Sequence, residues 1–217
     1  MKNTIASLGL VLTALLVSLA LHAQQPQILL TSKPSEPDSR AAQVLQFYLQ
    51  KMTGKPVAIS PRTPHRSAPS VYIGYSPAAA NAGFEKPGAL GADDFFMQGK
   101  SNAFLIAASG DMGSEYGVYT LLEMLGCRKY SPTDSLIPTV ERIQLPELPA
   151  RIEKPAFPYR ELWYVPAFDD AWARWHKLKT HTAKNREWGL FVHTFDRLCA
   201  PDKYFAEHPE YFAFNGA

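Results

Sequence analysis

The sequence predicts an α/β domain, a sheet with helices on one face, followed by a β-α-β opening of a second segment. Three observations point there. Short β-branched runs alternate with helical periodicities from about residue 27 to residue 148. Six prolines (132, 138, 146, 149, 155 and 158) then fall within twenty-seven residues. Beyond them, the last fifty-five residues hold all four Trp (163, 172, 175, 188) and His176, His181, His193 and His208.

Composition limits the function classes. Of 217 residues, 46% are apolar and 19% charged, which fits a globular chain better than a disordered or membrane-embedded one. Twenty-two Lys+Arg stand against twenty Asp+Glu, a net charge of +2. That balance offers no basic field for a nucleic acid. Two cysteines, Cys127 and Cys199, give neither a disulfide-dense scaffold nor zinc-ligand spacing.

Met1–Ala23 carries Lys2, an apolar run from Ile5 to Leu21, and a small residue at Ala23. This reads as a secretory signal peptide, the alternative being an uncleaved anchor. The expectation is export to the periplasm, cell surface or exterior, with no membrane association beyond the signal. Export would allow a Cys127–Cys199 disulfide without requiring it.

The accessory-type domain is expected over residues 24–148. Ile28–Leu30 reads as a strand. Polar Ser35–Asp38 suits helix capping, and Ala41, Leu45, Tyr48 and Met52 share one helical face before Gly54 and Pro56 stop it. Val57–Ser60 and Val71–Ile73 read as strands, as do Phe95–Gln98 and Phe104–Ala108, joined by a turn at Gly99-Lys100-Ser101-Asn102. A second helix runs from about Ser114, its expected cap, to Leu125, burying Val118, Leu121, Leu122 and Leu125, and Gly126 ends it. Five strands and two helices suffice for one covered sheet face.

The stretch from Pro132 to Pro158 is too rich in proline for a long helix or central strand and reads as a stiff connection, residues 149–158 lying between the domains, with one edge strand expected within the stretch at Val140–Leu145. In residues 159–217, Tyr159–Val165 reads as a strand, Asp169–Lys179 as a helix and Leu190–His193 as a strand. One such unit leaves sheet edges open. The chain is therefore expected to be the front of a longer protein; the alternative is a short protein whose last segment folds back on the first domain.

Candidate chemistry is sparse. Ser109-Gly110-Asp111-Met112-Gly113 sits between strand and helix but matches no phosphate-loop spacing, so a plain turn is expected. Asp169-Asp170 suits capping better than glycoside chemistry, whose carboxylates must flank a bond. His176 and His181 are poorly spaced for one helical face, and no metal or other cofactor is expected. Arg160 offers a fork of donors for hydroxyls, Trp163 a flat face for a sugar ring, and His193 stands at an expected strand end.

An ordered series of blocks carries a family likeness: Ala42–Gly54 (AQVLQFYLQKMTG), Val71–Gly74 (VYIG), Glu115–Pro132 (EYGVYTLLEMLGCRKYSP) and Lys154–Arg160 (KPAFPYR). The last two resemble the domain junction of family-20 β-N-acetylhexosaminidases and family-67 α-glucuronidases. There a small α/β domain precedes a catalytic (β/α)₈ barrel. Secreted bacterial proteins with domain of unknown function 4838 are more similar, also at His193–Phe195 and Tyr204–Phe212 (YFAEHPEYF). The resemblance implies that residues 159–217 begin a TIM-barrel-like domain. It also implies a glycan substrate and a sugar-hydroxyl contact for Arg160. The strand pattern departs after Arg160, at Glu161–Val165. The catalytic Asp-Glu pair of those enzymes falls beyond residue 217, so no catalytic residue is assigned here and the fragment alone is expected to be inactive. A non-catalytic carbohydrate-binding or adhesion module is the alternative, and a partner-docking domain a third reading. Oligomeric state is left open.

Overall fold

A computed structural model describes residues 25–60, 68–163, 165–179 and 195–213. The expected signal peptide, the Leu190–His193 strand, His181, Trp188 and His193 lie outside the described residues. The chain divides into two compact units, Met1–Thr180 and His181–Ala217.

The first unit is built on a six-stranded mixed sheet. Its strands are β1 (Gln27–Leu30), β2 (Ala58–Ser60), β3 (Ser70–Ile73), β4 (Phe95–Lys100), β5 (Ala103–Ala108) and β8 (Leu148–Glu153), in spatial order β2-β1-β3-β5-β4-β8. The β2, β1, β3 and β5 neighbours pair in parallel, and β4 runs antiparallel to both β5 and β8. Two short strands, β6 (Arg128–Lys129) and β7 (Ser135–Leu136), form a separate ribbon. All five expected strands of the sheet are present, and the α/β class holds.

Two helices cover one sheet face. In α1 (Glu36–Thr53), the Ser35 hydroxyl accepts from the Asp38 amide, and the left-handed Gly54 closes the end by donating to Gln50 at 2.8 Å. Ala41, Ala42, Leu45, Leu49 and Met52 are its buried stripe. The other helix, α3 (Gly113–Met124), buries Val118, Leu121 and Leu122. Its cap corrects the expectation. Met112 is the N-cap and makes no side-chain cap bond, while Ser114 lies inside the helix and donates to Asp38 Oδ1 at 2.6 Å. The hydroxyl thus ties α3 to α1 rather than to its own first turn.

The opposite face carries a smaller cluster of Leu29, Tyr72, Ala79, Phe84, Phe96, Leu105 and Ala107. The short α2 (Pro77–Asn81) and the loop after it supply this cover, with Phe84 set edge-on to Tyr72 at 5.4 Å.

The β4–β5 turn is tight because Ser101 and Asn102 both take positive φ, 42° and 67°. Gly99 serves another purpose. A Cβ there would lie 2.1 Å from the Pro146 carbonyl oxygen, so glycine admits the edge strand. That edge strand is Leu148–Glu153, not Val140–Leu145, and it takes up half of the expected connection. The register shift between Met97 and Gly99 places Pro149 and Ala150 together opposite Gln98, a bulge on an edge where proline's missing N–H costs no ladder bond.

Tyr159–Val165 is not a strand where described. Its donors and acceptors go elsewhere: the Arg160 carbonyl accepts from the Lys179 amide at 2.8 Å, and Val165–Phe168 is a 3₁₀ turn containing Pro166. The helix that follows, α4 (Asp170–Trp175), is shorter than expected. Asp169 caps it through the Trp172 amide at 2.7 Å, as its sequence position suggested. It ends where Lys177 enters left-handed space at φ 60°. Trp175, 1% exposed, joins the main core between Tyr48 and Tyr119.

The second unit, by itself, shows two helical turns, α5 (Phe195–Leu198) and α6 (Pro201–Tyr204), and a 3₁₀ turn at Pro209–Tyr211. Phe212 packs edge-on to Phe195 and Phe205. Both cysteines are free, and burial pushes the Cys127 thiol up to about 11.

Candidate functional site

A cavity of about 310 Å³ opens where the loop before β4, the middle of α3, the end of β8 and the segment after Pro155 converge. Asp93, Tyr116, Glu153, Arg160 and Lys177 are among its walls. Asp93 lies two residues before β4, and the 91–94 turn that presents it is fixed by the Gly91 amide donating to Asp94 Oδ2 at 2.9 Å.

Asp93 is the electrostatic centre. Its Oδ2 meets Arg160 Nη2 at 2.9 Å and Lys179 Nζ at 2.6 Å, with the Asp93 side chain only 10% exposed. Burial by itself would raise this carboxyl. The bonds and charges of Lys179 and Arg160 outweigh it and hold Asp93 below the usual carboxylate range. Beside it, burial pushes the Tyr116 phenol up to about 12, aided by the Asp93 charge. Tyr116 therefore stays protonated and donates to the Leu178 carbonyl at 3.4 Å.

Arg160 is placed in the cavity wall, but most of its fork is engaged with the protein. Nε donates to the Lys177 carbonyl at 2.8 Å, Nη1 to the Phe157 carbonyl at 2.7 Å, and Nη2 to Asp93. Its guanidinium also lies 5.7 Å from the Tyr116 ring centre. Thus Arg160 ties residues 157–179 to the sheet domain. Trp163 is half exposed and meets Phe168 edge-on at 5.5 Å. These two expected site residues are near in sequence but differ in setting, one clamped and one open. His193 lies outside the described residues.

Sequence reasoning missed Asp93, Tyr116 and Lys179. The Asp93-Asp94 pair before an apolar run was the available signal, of the same kind as Asp169-Asp170. Partners sixty-seven residues apart, such as Asp93 and Arg160, share no local pattern.

The other motifs take structural parts. Ser109 donates to the Leu90 carbonyl at 2.8 Å, and a Cβ on Gly110 would fall 1.7 Å from the Ala92 carbonyl oxygen, so this is a packed strand-to-helix turn. Asp111 accepts from Arg40 at 2.9 Å. Arg40 also donates to the buried Glu115 at 2.9 Å, and Arg174 of α4 approaches the same oxygen at 3.7 Å. His176 Nε2 lies 3.0 Å from the Lys129 carbonyl oxygen. Among the described residues no group of three or more His, Cys, Asp or Glu could hold a metal ion, and no helix is long and apolar enough to cross a membrane.

Chemically, the cavity offers cations, a phenol and an ionised carboxylate with two partners. Such a set can grip hydroxyl-bearing or charged groups; Asp93, held ionised, has no proton to donate as a general acid.

The class so defined is a mixed α/β sheet domain with a proline-bounded segment clamped onto its helical face. Residues 129–217 match the family described as domain of unknown function (DUF4838), as the sequence resemblance implied. No curated protein matches the chain. The chain is similar to a solved family GH115 4-O-methyl-α-glucuronidase with specificity for decorated arabinogalactans (18% identity, TM-score 0.49), over 63% of this chain and 18% of that one. It is also similar to a GH20 exo-β-N-acetylglucosaminidase from Vibrio harveyi (15% identity, TM-score 0.37), over 63% of this chain and 17% of that one. A GH138 enzyme targeting pectin rhamnogalacturonan II aligns over 47% of this chain and 13% of its own, at 15% identity and TM-score 0.35. The chain spans less than a fifth of the length of each.

Proposed function

We propose that this chain is the front of an exported glycoside-hydrolase-like protein acting on glycans, with catalytic carboxylates supplied from beyond residue 217. The observation that carries the reading is the Lys154–Arg160 segment. Its sequence resembles a glycosidase domain junction, and it lines a cavity beside the sheet domain with Arg160 in the wall. In this reading the α/β unit is a mount, and residues from 159 onward begin a barrel. Arg160, Trp163 and His193 contact the glycan: Arg160 through the Nη2 hydrogen that does not go to Asp93, Trp163 by stacking on a sugar face. The fragment binds without hydrolysing, because a barrel site draws on several strand ends.

Asp93 favours the second reading, a carbohydrate-binding module without chemistry, since a carboxylate held ionised by two cations suits recognition better than proton transfer. A glycan-array screen of the chain beside an Arg160→Lys variant tests the glycan contact common to both. Weakened or lost binding in the variant is expected; no glycan bound by either protein would overturn it. The coding sequence after Ala217 separates the readings, hydrolysis requiring a strand-borne acidic pair there. Export is tested by sequencing the amino terminus of the mature product, expected to begin at Gln24.

A further inference from the structure

A second cavity, of about 400 Å³, lies at the carboxyl ends of the parallel strands. The connection leaving β1 runs through α1 to β2 on one side, whereas β3 lies on the other side and its chain continues toward β4 and β5. The two connections diverge, so β1 and β3 flank a topological switch point. In open α/β sheets such crevices are where ligands bind. Thr31 follows β1 in the wall, and Gly74 follows β3 with φ 83°. A Cβ at Gly74 would come within 3.2 Å of Asp38 Oδ2 and 3.4 Å of Thr31 Cγ2, so glycine keeps the crevice open.

The lining is chemically unfinished. Lys33, before α1, and Lys86, in the loop after α2, are exposed and have no carboxylate partner among the described residues. Among the described residues of this unit, the cations Arg40, Arg151, Lys154, Arg160, Arg174, Lys177 and Lys179 pair with carboxylates, so these two lysines are left for a ligand at the crevice. Asp38 presents one oxygen to Ser114, and its other has no hydrogen-bond partner among the described residues. Two ammonium groups call for an anion, and a free carboxylate oxygen calls for a hydroxyl donor.

We propose that this crevice binds a small oxyanion that also carries a hydroxyl group. A hydroxycarboxylate and a phosphate share that chemistry. The assignment is independent of the glycan reading, since Arg160 is not in the lining and no lining residue comes after Ala108.

The test is calorimetric titration of the chain with gluconate and inorganic phosphate, and with sorbitol as the uncharged counterpart of gluconate. Saturable binding of at least one anion and none of sorbitol is expected, weakening with added salt. Lys33→Ala/Lys86→Ala should raise Kd by about tenfold, the size expected for two exposed ion contacts. Lys55→Ala, an exposed lysine away from the crevice, should leave it unchanged. Preference between the anions identifies the source. Absence of binding to both, equal binding of sorbitol, or affinity untouched by the double lysine variant would each overturn the proposal. Affinity lost in Arg160→Lys but kept in the lysine variant would assign binding to the first cavity and overturn it too.

Discussion

The two faces of the sheet are covered by different means. On one, α1 and α3 lay down regular apolar stripes, and Trp175 from a segment fifty residues beyond α3 completes the cluster. On the other, a five-residue helix and an irregular loop do the covering, with Phe84 as its aromatic plug. Regular cover is announced by periodicity and supported by many neighbouring contacts. Irregular cover depends on single side chains finding a seat. Both candidate cavities lie beside irregular chain: the first against Pro155 and Arg160, the second against Lys86 and Pro87.

This contrast can be broken in graded steps. Trp175→Ala should cost most, about 5 kcal/mol, because the void opens between the rings of Tyr48 and Tyr119 in a core that cannot collapse easily. Denaturant unfolding would measure it, and a cost near 1 kcal/mol would show that the 157–179 segment is only loosely attached. Phe84→Ala should cost about 3 kcal/mol, at the lower end for its type, since the loop can relax into the space. A larger loss there than at Trp175 would reverse the ranking of the two faces.

Gly117 sharpens the account of the helical face. A Cβ there would lie 2.4 Å from Ile106 Cγ2, so α3 can rest on β5 only because this helical position lacks one. Gly117→Ala should destabilise by about 1–2 kcal/mol, the overpacking exceeding the gain in helix propensity. A stabilised variant would mean that the helix shifts freely. Ser35→Ala, which removes the α1 cap, should cost about 1 kcal/mol.

The finest test is pH. Asp93 has a folded pKa below its unfolded value, so its ion pairs contribute fully above about pH 4 and that contribution is lost as pH falls through the lower folded value. Asp93→Asn should flatten the acid limb of stability against pH. An unchanged acid limb would remove Asp93 from the clamp.

Much of the fold was legible because its signals are short-range. Ser35, Gly54, Gly126 and Asp169 act within one helical turn, and the strands announce themselves by composition. Tyr159–Val165 misled because β-branched and aromatic content says nothing about a pairing partner, and here the Arg160 carbonyl bonds to Lys179 instead. The edge strand falls at Leu148–Glu153 instead of Val140–Leu145 because a bulged edge accommodates Pro149. Of the candidate site, Arg160 was visible and its office was not.

Local chemistry therefore determined α1 and α3 with their stops, the Asp169 cap of α4, five strands and the tryptophan-rich segment's distinct composition. Only the tertiary structure decided that Asp93 and Lys179 hold Arg160, that Trp175 completes a core begun at Ile28, and that two lysines border one crevice. Capping and periodicity act between residues a few positions apart, whereas ion pairing and core packing depend on distance in space, which chain separation does not encode.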